Sequence, residues 1–279
     1  MSKHYKVLFL AMSCNDPFFE MSRKTTHDTW AKDIIEGRYP DVGFFSYTTA
    51  ANYKERIEDH CVYVNTEDDY RHTYSKTVRT MQLLRERGIT WDILIRTNTS
   101  TFFNVERTLE LLQTLDTDKI NTFFLCNIDI ANKSIPIFAG WLMIFPWTFT
   151  ELLINNFHIL NEDYILIQEL KKDPSFYAND DVLLGIFQWI LYNNDLKVEI
   201  NWLPHSLVKH YKTTLLNPHL QTHPLPEVLT RADQYMSDPN EIVNIPWTQV
   251  RLFAVEHQHR YIELEHMYEL YEALKKRSN

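Results

Sequence analysis

The sequence predicts an α/β sandwich with a mainly parallel central sheet, and three observations lead there. Short apolar runs rich in β-branched and aromatic residues recur between Lys6 and Leu203. Between them lie stretches whose apolar residues return every three to four positions. Turn and cap residues divide the two kinds of segment, with Gly88 closing one helical stretch and Asn104 opening another.

In chain order, "KVLFLAM" reads as the first strand, and "SCNDPFFE" follows as a turn into a helix at Pro17. "VGFFSYT" and "CVYV" are strands. "TYSKTVRTMQLLRERG" is a helix that stops at Gly88, and "WDILIR" is the strand after it. "VERTLELLQTL" is a helix capped by Asn104, while "TFFLCN", "GWLMIF" and "VEINWL" are strands. "DDVLLGIFQWIL" is a helix with two acids in its first turn, where negative charge is favoured. Strand, helix, strand in this rhythm gives helices on both faces of a sheet. Ligands of such sheets bind beyond the carboxyl ends of the strands, and the loop "TNTS" after Arg96 lies at such an end.

The texture changes after Lys212, so a main domain is expected over 1–212 and an extension over 213–279. Pro218, Pro224, Pro226, Pro239 and Pro246 mark a proline-rich wrap ahead of a helical C-terminal segment. The amphipathic stripe Leu252, Val255, His259, Ile262, His266 and Leu270 is expected to pack on the domain or on a sister subunit, as in a homodimer.

With 44% apolar residues over 279 positions, the chain can bury a sizeable core. Its formal net charge of -9 supplies no broad cationic field for nucleic acid or anionic membrane. Three cysteines, Cys14, Cys61 and Cys126, are scattered without a C-x-x-C pair, which fits a reducing compartment and excludes a disulfide framework. The longest uncharged run, "SIPIFAGWLMIFPW", is interrupted by Pro136 and Pro146 and is too short to span a bilayer. The expectation is a soluble cytoplasmic protein without a transmembrane anchor, in the host cytoplasm if viral. The N-x-S triplets at Asn98 and Asn132 are then not glycosylated.

"IRTNTSTFFN" resembles the K-x-D-D-D-x-F-V-N signature of the β-1,3-galactosyltransferase and Fringe-like glycosyltransferases (family 31). Arg96 stands for the lysine, and Asn98, Thr99 and Ser100 replace the three acids. "RKTTHDTW" is similar to that family's R-R-x-x-I-R-x-T-W segment, and "DDYRHTYSKT" to its D-x-Y-x-N-L-T-x-K-T stretch, with Asp68, Tyr70, Lys76 and Thr77 in register. "AGWLMIF" resembles S-G-G-x-Y-V-L, and "DDVLLG" resembles E-D-V-x-x-G. The matches keep the family's order over roughly the first 212 residues, and their joint occurrence is more specific than any one of them.

The resemblance implies a GT-A type, Rossmann-like fold, a UDP-sugar donor, and inversion at the anomeric carbon. Known eukaryotic members are Golgi proteins with a membrane anchor, whereas this chain opens almost directly on its first strand, which points to a bacterial or viral enzyme of glycan biosynthesis. Inverting transfer needs a base for the acceptor hydroxyl. By position that is Asp181, with Asp180 orienting acceptor or base.

In the family the acid triplet holds a divalent metal against the leaving diphosphate. Asn98, Thr99 and Ser100 are weak neutral donors, so metal-free transfer is the leading expectation, with Arg96, Lys76 and Arg23 as an electrostatic clamp. The fallback is a displaced metal on Asp92, Asp129 or His205. The third reading is a protein that binds sugars without turning them over. Ser13, Asn15 and Asp16 fall where GT-A enzymes seat the nucleotide base, and His210 falls where they offer a histidine to the diphosphate. Gly140 and Trp141 fall near the acceptor. The competing reading of these residues is ordinary structure: a capped turn, solvated charges and core tryptophans.

The expected activity is therefore hexosyl transfer to a sugar or glycoconjugate hydroxyl. The alternatives are a viral DNA-modifying glucosyltransferase acting on hydroxymethylated or glucosylated bases, and an inactive carbohydrate-binding or scaffold protein. Lys209, Lys212 and the terminal "KKR" would supply a local basic rim for DNA. His259, Glu263 and His266 have zinc-like spacing but read as an ordinary helix stripe.

Overall fold

A computed structural model describes residues 2–52, 54–69, 72–130, 133–160, 180–194, 196, 198–203 and 244–246, with 267–268, 271–272 and 275–276 of the C-terminal segment. The fold is an eight-stranded mixed sheet with helices on both faces. Its strands are β1 (Lys3–Met12), β2 (Val42–Thr49), β3 (Arg56–Glu58), β4 (Cys61–Val64), β5 (Ile89–Asn98), β7 (Ile120–Ile130), β8 (Lys133–Pro146) and β9 (Ile200–Trp202). They lie in the order β3-β4-β2-β1-β5-β8-β7-β9. The centre is parallel, β4, β2, β1 and β5 all running one way.

β1 shows why the sheet is buried on both sides. Leu8 and Leu10 join one apolar cluster, Val7, Phe9 and Ala11 the other, so the strand reads as continuous apolar sequence. The first cluster lies under α3 (Thr73–Glu86), α5 (Trp147–Asn156) and α6 (Asp180–Asn193), with Met81, Phe149 and Phe187 at its centre. The second takes Trp30, Ile34 and Leu112 from the neighbourhood of α1 (Pro17–Asp28), α2 (Lys32–Ile35) and α4 (Val105–Thr114).

Caps read from sequence are in place. The Asp16 carboxylate accepts the Phe18 N–H at 2.9 Å ahead of Pro17, and Asn104 accepts the Arg107 N–H at 3.2 Å. Gly88 ends α3 with φ +75°, a backbone that disfavours other residues.

The run around Pro136 is not broken, as expected, but continuous: β8 carries 14 residues. From Phe124 to Asn127 β7 advances by three residues while its partner β8 advances by two, from Phe138 to Pro136. This bulge interrupts the ladder beside the proline, where a missing N–H is tolerated. Only positions 131 and 132 separate β7 from β8, so the two must pair antiparallel, and β8 reverses the sheet beside β5.

A second, two-stranded sheet pairs β6 (Thr101–Phe103) with β10 (Asn244–Pro246), bringing the C-terminal part of the chain against the segment after the "TNTS" loop. Met267 and Tyr271 are buried with Trp30 and Ile34, and the Tyr268 and Tyr271 hydroxyls donate to Asp28 (3.1 Å) and Asp33 (3.2 Å). The expected boundary at 212, the whole of the amphipathic stripe, and the His259, Glu263 and His266 grouping lie outside the described residues. No helix among the described residues is long and apolar enough to cross a membrane.

Candidate active site

The carboxyl ends of β1, β2, β4 and β5 meet at one edge of the sheet, where Met12 is in register with both Tyr47 and Asn98. The loops leaving these strands are tied together through one ion pair that is enclosed at its lysine end. Lys76, 2% exposed on α3, pairs with Asp68 and donates to the Ser13 carbonyl at 3.4 Å. Asp68 also accepts the Asn15 N–H at 2.6 Å and the Thr49 hydroxyl at 3.3 Å. Asn15 in turn donates to the Thr49 carbonyl at 3.1 Å and accepts from Thr48 at 3.1 Å. The side chains of Ser13 and Asp16 turn inward, to the Phe19 carbonyl (3.0 Å) and to the α1 cap.

A second buried node lies at the start of α6. Arg96, fully enclosed on β5, pairs with Asp180 and donates to the Gly140 carbonyl. It also donates to the Met12 sulfur at 3.3 Å. Asp180 also accepts from the Thr77 hydroxyl at 3.2 Å, which contacts the Tyr47 hydroxyl at 2.7 Å, and its N–H donates to Thr73 at 3.0 Å. Burial alone would lower the Arg96 pKa, but the carboxylates of Asp180 and Asp181 raise it instead.

Asp181 sits beside this node, half-buried, with the Gly140 N–H directed at its carboxyl. A Cβ at position 140 would fall onto the Asp181 carboxyl group, so any residue but glycine there has to displace it. Withdrawal from water first, and the adjacent Asp180 second, push the Asp181 pKa up to about 8, against the pull of Arg96. A carboxyl poised near neutrality at a strand-end edge suits proton transfer.

The "TNTS" loop is held mainly through its backbone. The Thr99 carbonyl accepts from the Ser22 and Thr26 hydroxyls of α1, each at 2.9 Å, and its N–H donates to the Met12 carbonyl at 2.9 Å. The side-chain oxygens of Asn98, Thr99 and Thr101 are buried without a hydrogen-bond partner. These are neutral oxygens, two on enclosed threonines, and they do not make the anionic donor set a hard divalent cation needs.

The fold separates several of the expected site residues. Arg96 and Lys76 are neither solvated surface charges nor open cations, because both side chains are buried and each is paired with a carboxylate, Asp180 and Asp68. Arg23 lies 3.6 Å from Glu20, and its charge falls on His27 and Cys61. Trp141 is 5% exposed and packs in the core cluster of Phe9 and Trp30, so it offers no face for a sugar. Asp92 pairs with His4 toward the amino end of β5, six residues before Asn98, and Asp129 lies exposed on β7. Neither joins the loop.

His205 and His210 are outside the described residues. Among the described residues, Glu67, Asp69 and His72 hold ligand atoms within 4.8 Å of one another, a grouping the sequence analysis passed over. Tyr47 and Thr73 were also missed, and Thr77 was named only as a matching position. Thr77 carried a signal in the "SKT" match, but Tyr47 had none, being one aromatic among many in a strand.

No family model matches the chain, and no curated protein matches it either. Solved structures that align with the chain include a glycosyltransferase involved in the glycosylation of the major capsid of PBCV-1, at TM-score 0.48 and 10% identity, covering 94% of this chain and 98% of that one. The galactosyltransferase LgtC, in complex with donor and acceptor sugar analogs, aligns at TM-score 0.46 and 10% identity over 96% of this chain and 95% of its own. Mouse xyloside xylosyltransferase 1 aligns at 0.42 and 10% over 90% of this chain and 100% of its own.

Proposed function

We propose that the chain is an inverting glycosyltransferase that moves a hexose from a UDP-sugar to a hydroxyl of a glycan or glycoconjugate, with Asp181 as the base. The observation that carries this reading is the Asp181 carboxyl, raised toward neutrality and seated on Gly140 at the carboxyl-end edge of the sheet. In the reaction Asp181 takes the acceptor hydroxyl proton as that oxygen attacks C1, and the C1–O bond to the diphosphate breaks on the opposite side. Asp180 and Arg96 hold the carboxyl in place and touch neither sugar. The loops that Asp68 and Lys76 tie together form the seat for the nucleotide, with Asn15 at its rim.

The "TNTS" loop contributes shape and neutral hydrogen bonds and does not hold a metal. With Arg96 and Lys76 spent on internal carboxylates, neither is free to meet the leaving diphosphate.

Calorimetric titration with UDP and a panel of UDP-sugars, in excess EDTA and again with Mn²⁺, tests this. Binding of UDP and at least one UDP-sugar undiminished by EDTA is expected. Binding that requires Mn²⁺ would contradict the metal-free loop, and no binding in either condition would remove the transferase reading.

A further inference from the structure

Phe124 and Trp202 stand at the edge of the sheet with 38% and 39% of their surfaces open to solvent. Their ring centroids are 5.3 Å apart at an interplanar angle of 78°, and Trp202 leans on the buried Phe138 ring at 6.2 Å. The Trp202 backbone is fixed. It is in register with Thr122 of β7, the next N–H (Leu203) donates to the Thr122 carbonyl at 2.8 Å, and Asn201 donates to Asn121 at 2.7 Å.

These rings share a sheet face with Asp181. Phe124 is opposite Phe138 across β7 and β8, and Phe138 precedes Gly140 by two residues, so all three point the same way. A Cβ on Gly140 would point into the Asp181 carboxyl. With strands ~4.8 Å apart and a rise of ~3.3 Å per residue, the Phe124 backbone lies roughly 8 Å from position 140. Asn127 and Asp129, further along β7, are exposed polar groups on the same strand as Phe124.

A rigid aromatic surface with polar groups at its border suits the C–H face of a pyranose, whose hydroxyls need partners while its carbons need cover. The patch is too small for a stable protein partner. Two aromatic side chains exposed by this fraction offer roughly 200 Å² at most, against the ~1,000 Å² that a specific interface buries.

We propose that Phe124 and Trp202 form a stacking platform for a sugar ring of the acceptor glycan, one ring or more removed from the hydroxyl that Asp181 activates. The placement relative to the reaction rests on the transferase reading above. The binding of a glycan by these rings does not.

The test is a printed array of oligosaccharides ending in hexoses, N-acetylhexosamines and pentoses, probed with the full chain. Wild type is expected to bind a subset, Trp202→Tyr to keep that subset, and Trp202→Leu and Trp202→Ala to weaken it at least about tenfold. Thermal unfolding establishes that the variants are folded. Equal binding by Trp202→Leu and wild type, or no glycan bound by wild type, overturns the platform. A concentration-dependent dimer in sedimentation that Trp202→Leu abolishes also overturns it, because the patch would then be a contact between copies. Hydrolysis of UDP-sugars by wild type scores the transferase reading separately, so the two fail independently.

Discussion

Arg96 and Asp180 form a fully enclosed ion pair between the end of β5 and the first residue of α6, and the Gly140 carbonyl takes a further Arg96 donor. Removing one partner leaves the other charge in the core. Arg96→Met or Asp180→Leu alone is expected to cost about 3–5 kcal/mol of stability, and the double variant to recover most of it. Urea unfolding of the four proteins reads the coupling directly. Additive losses would mean that the pair is not a unit.

Gly140→Ala places a methyl where the Asp181 carboxyl lies. The expected outcome is a modest stability loss, about 1–3 kcal/mol from overpacking, with turnover of a UDP-sugar reduced about a hundredfold by displacement of the base. A variant that loses stability and keeps its rate would show that Asp181 need not rest on this glycine.

Asp181 also makes a pH-dependent contribution to stability. Its folded pKa, raised from 3.8 to about 8, means the native state holds a proton that the unfolded chain releases. The contribution is complete below pH 3.8 and is lost as pH rises toward 8. Wild type is therefore expected to lose stability relative to Asp181→Asn across that range, measured by melting temperature at successive pH values. Parallel curves would remove the raised pKa.

His27 has the opposite dependence. Burial first, and Arg23 second, lower its pKa from 6.5 to about 4, while its Nε2 contacts the Ser46 hydroxyl at 2.9 Å. The folded protein keeps the ring neutral where the unfolded chain protonates it, so stability present above pH 6.5 is lost as pH falls toward 4. His27→Gln is expected to flatten this acid limb. Imidazole proton shifts that titrate near 6.5 would contradict it.

Much of this fold was legible because local chemistry decides it. The apolar run of β1, the Asn104 cap and the Gly88 stop each follow from neighbours in sequence. The Arg96–Asp180 pair was not legible, because a cation ending an apolar strand looks the same whether it meets solvent or a distant carboxylate. Trp141 was misread for a different reason. Trp141 and Leu142 both join the same core cluster, so the two-residue alternation of β8 is interrupted there, and no sequence pattern marks which side the indole takes. Asp180 and Asp181 were read as a pair, and the fold divides them into a buried ion-pair partner and a half-buried carboxyl.

The most direct test of Asp181 as the base is the rate of UDP-sugar turnover by wild type and Asp181→Asn in excess EDTA, with UDP affinity measured alongside. The expected result is a loss of about 10²–10⁴-fold in rate, UDP affinity within a factor of about two, and a wild-type rate that climbs with pH toward about 8. An Asp181→Asn protein that turns over at the wild-type rate would contradict the assignment.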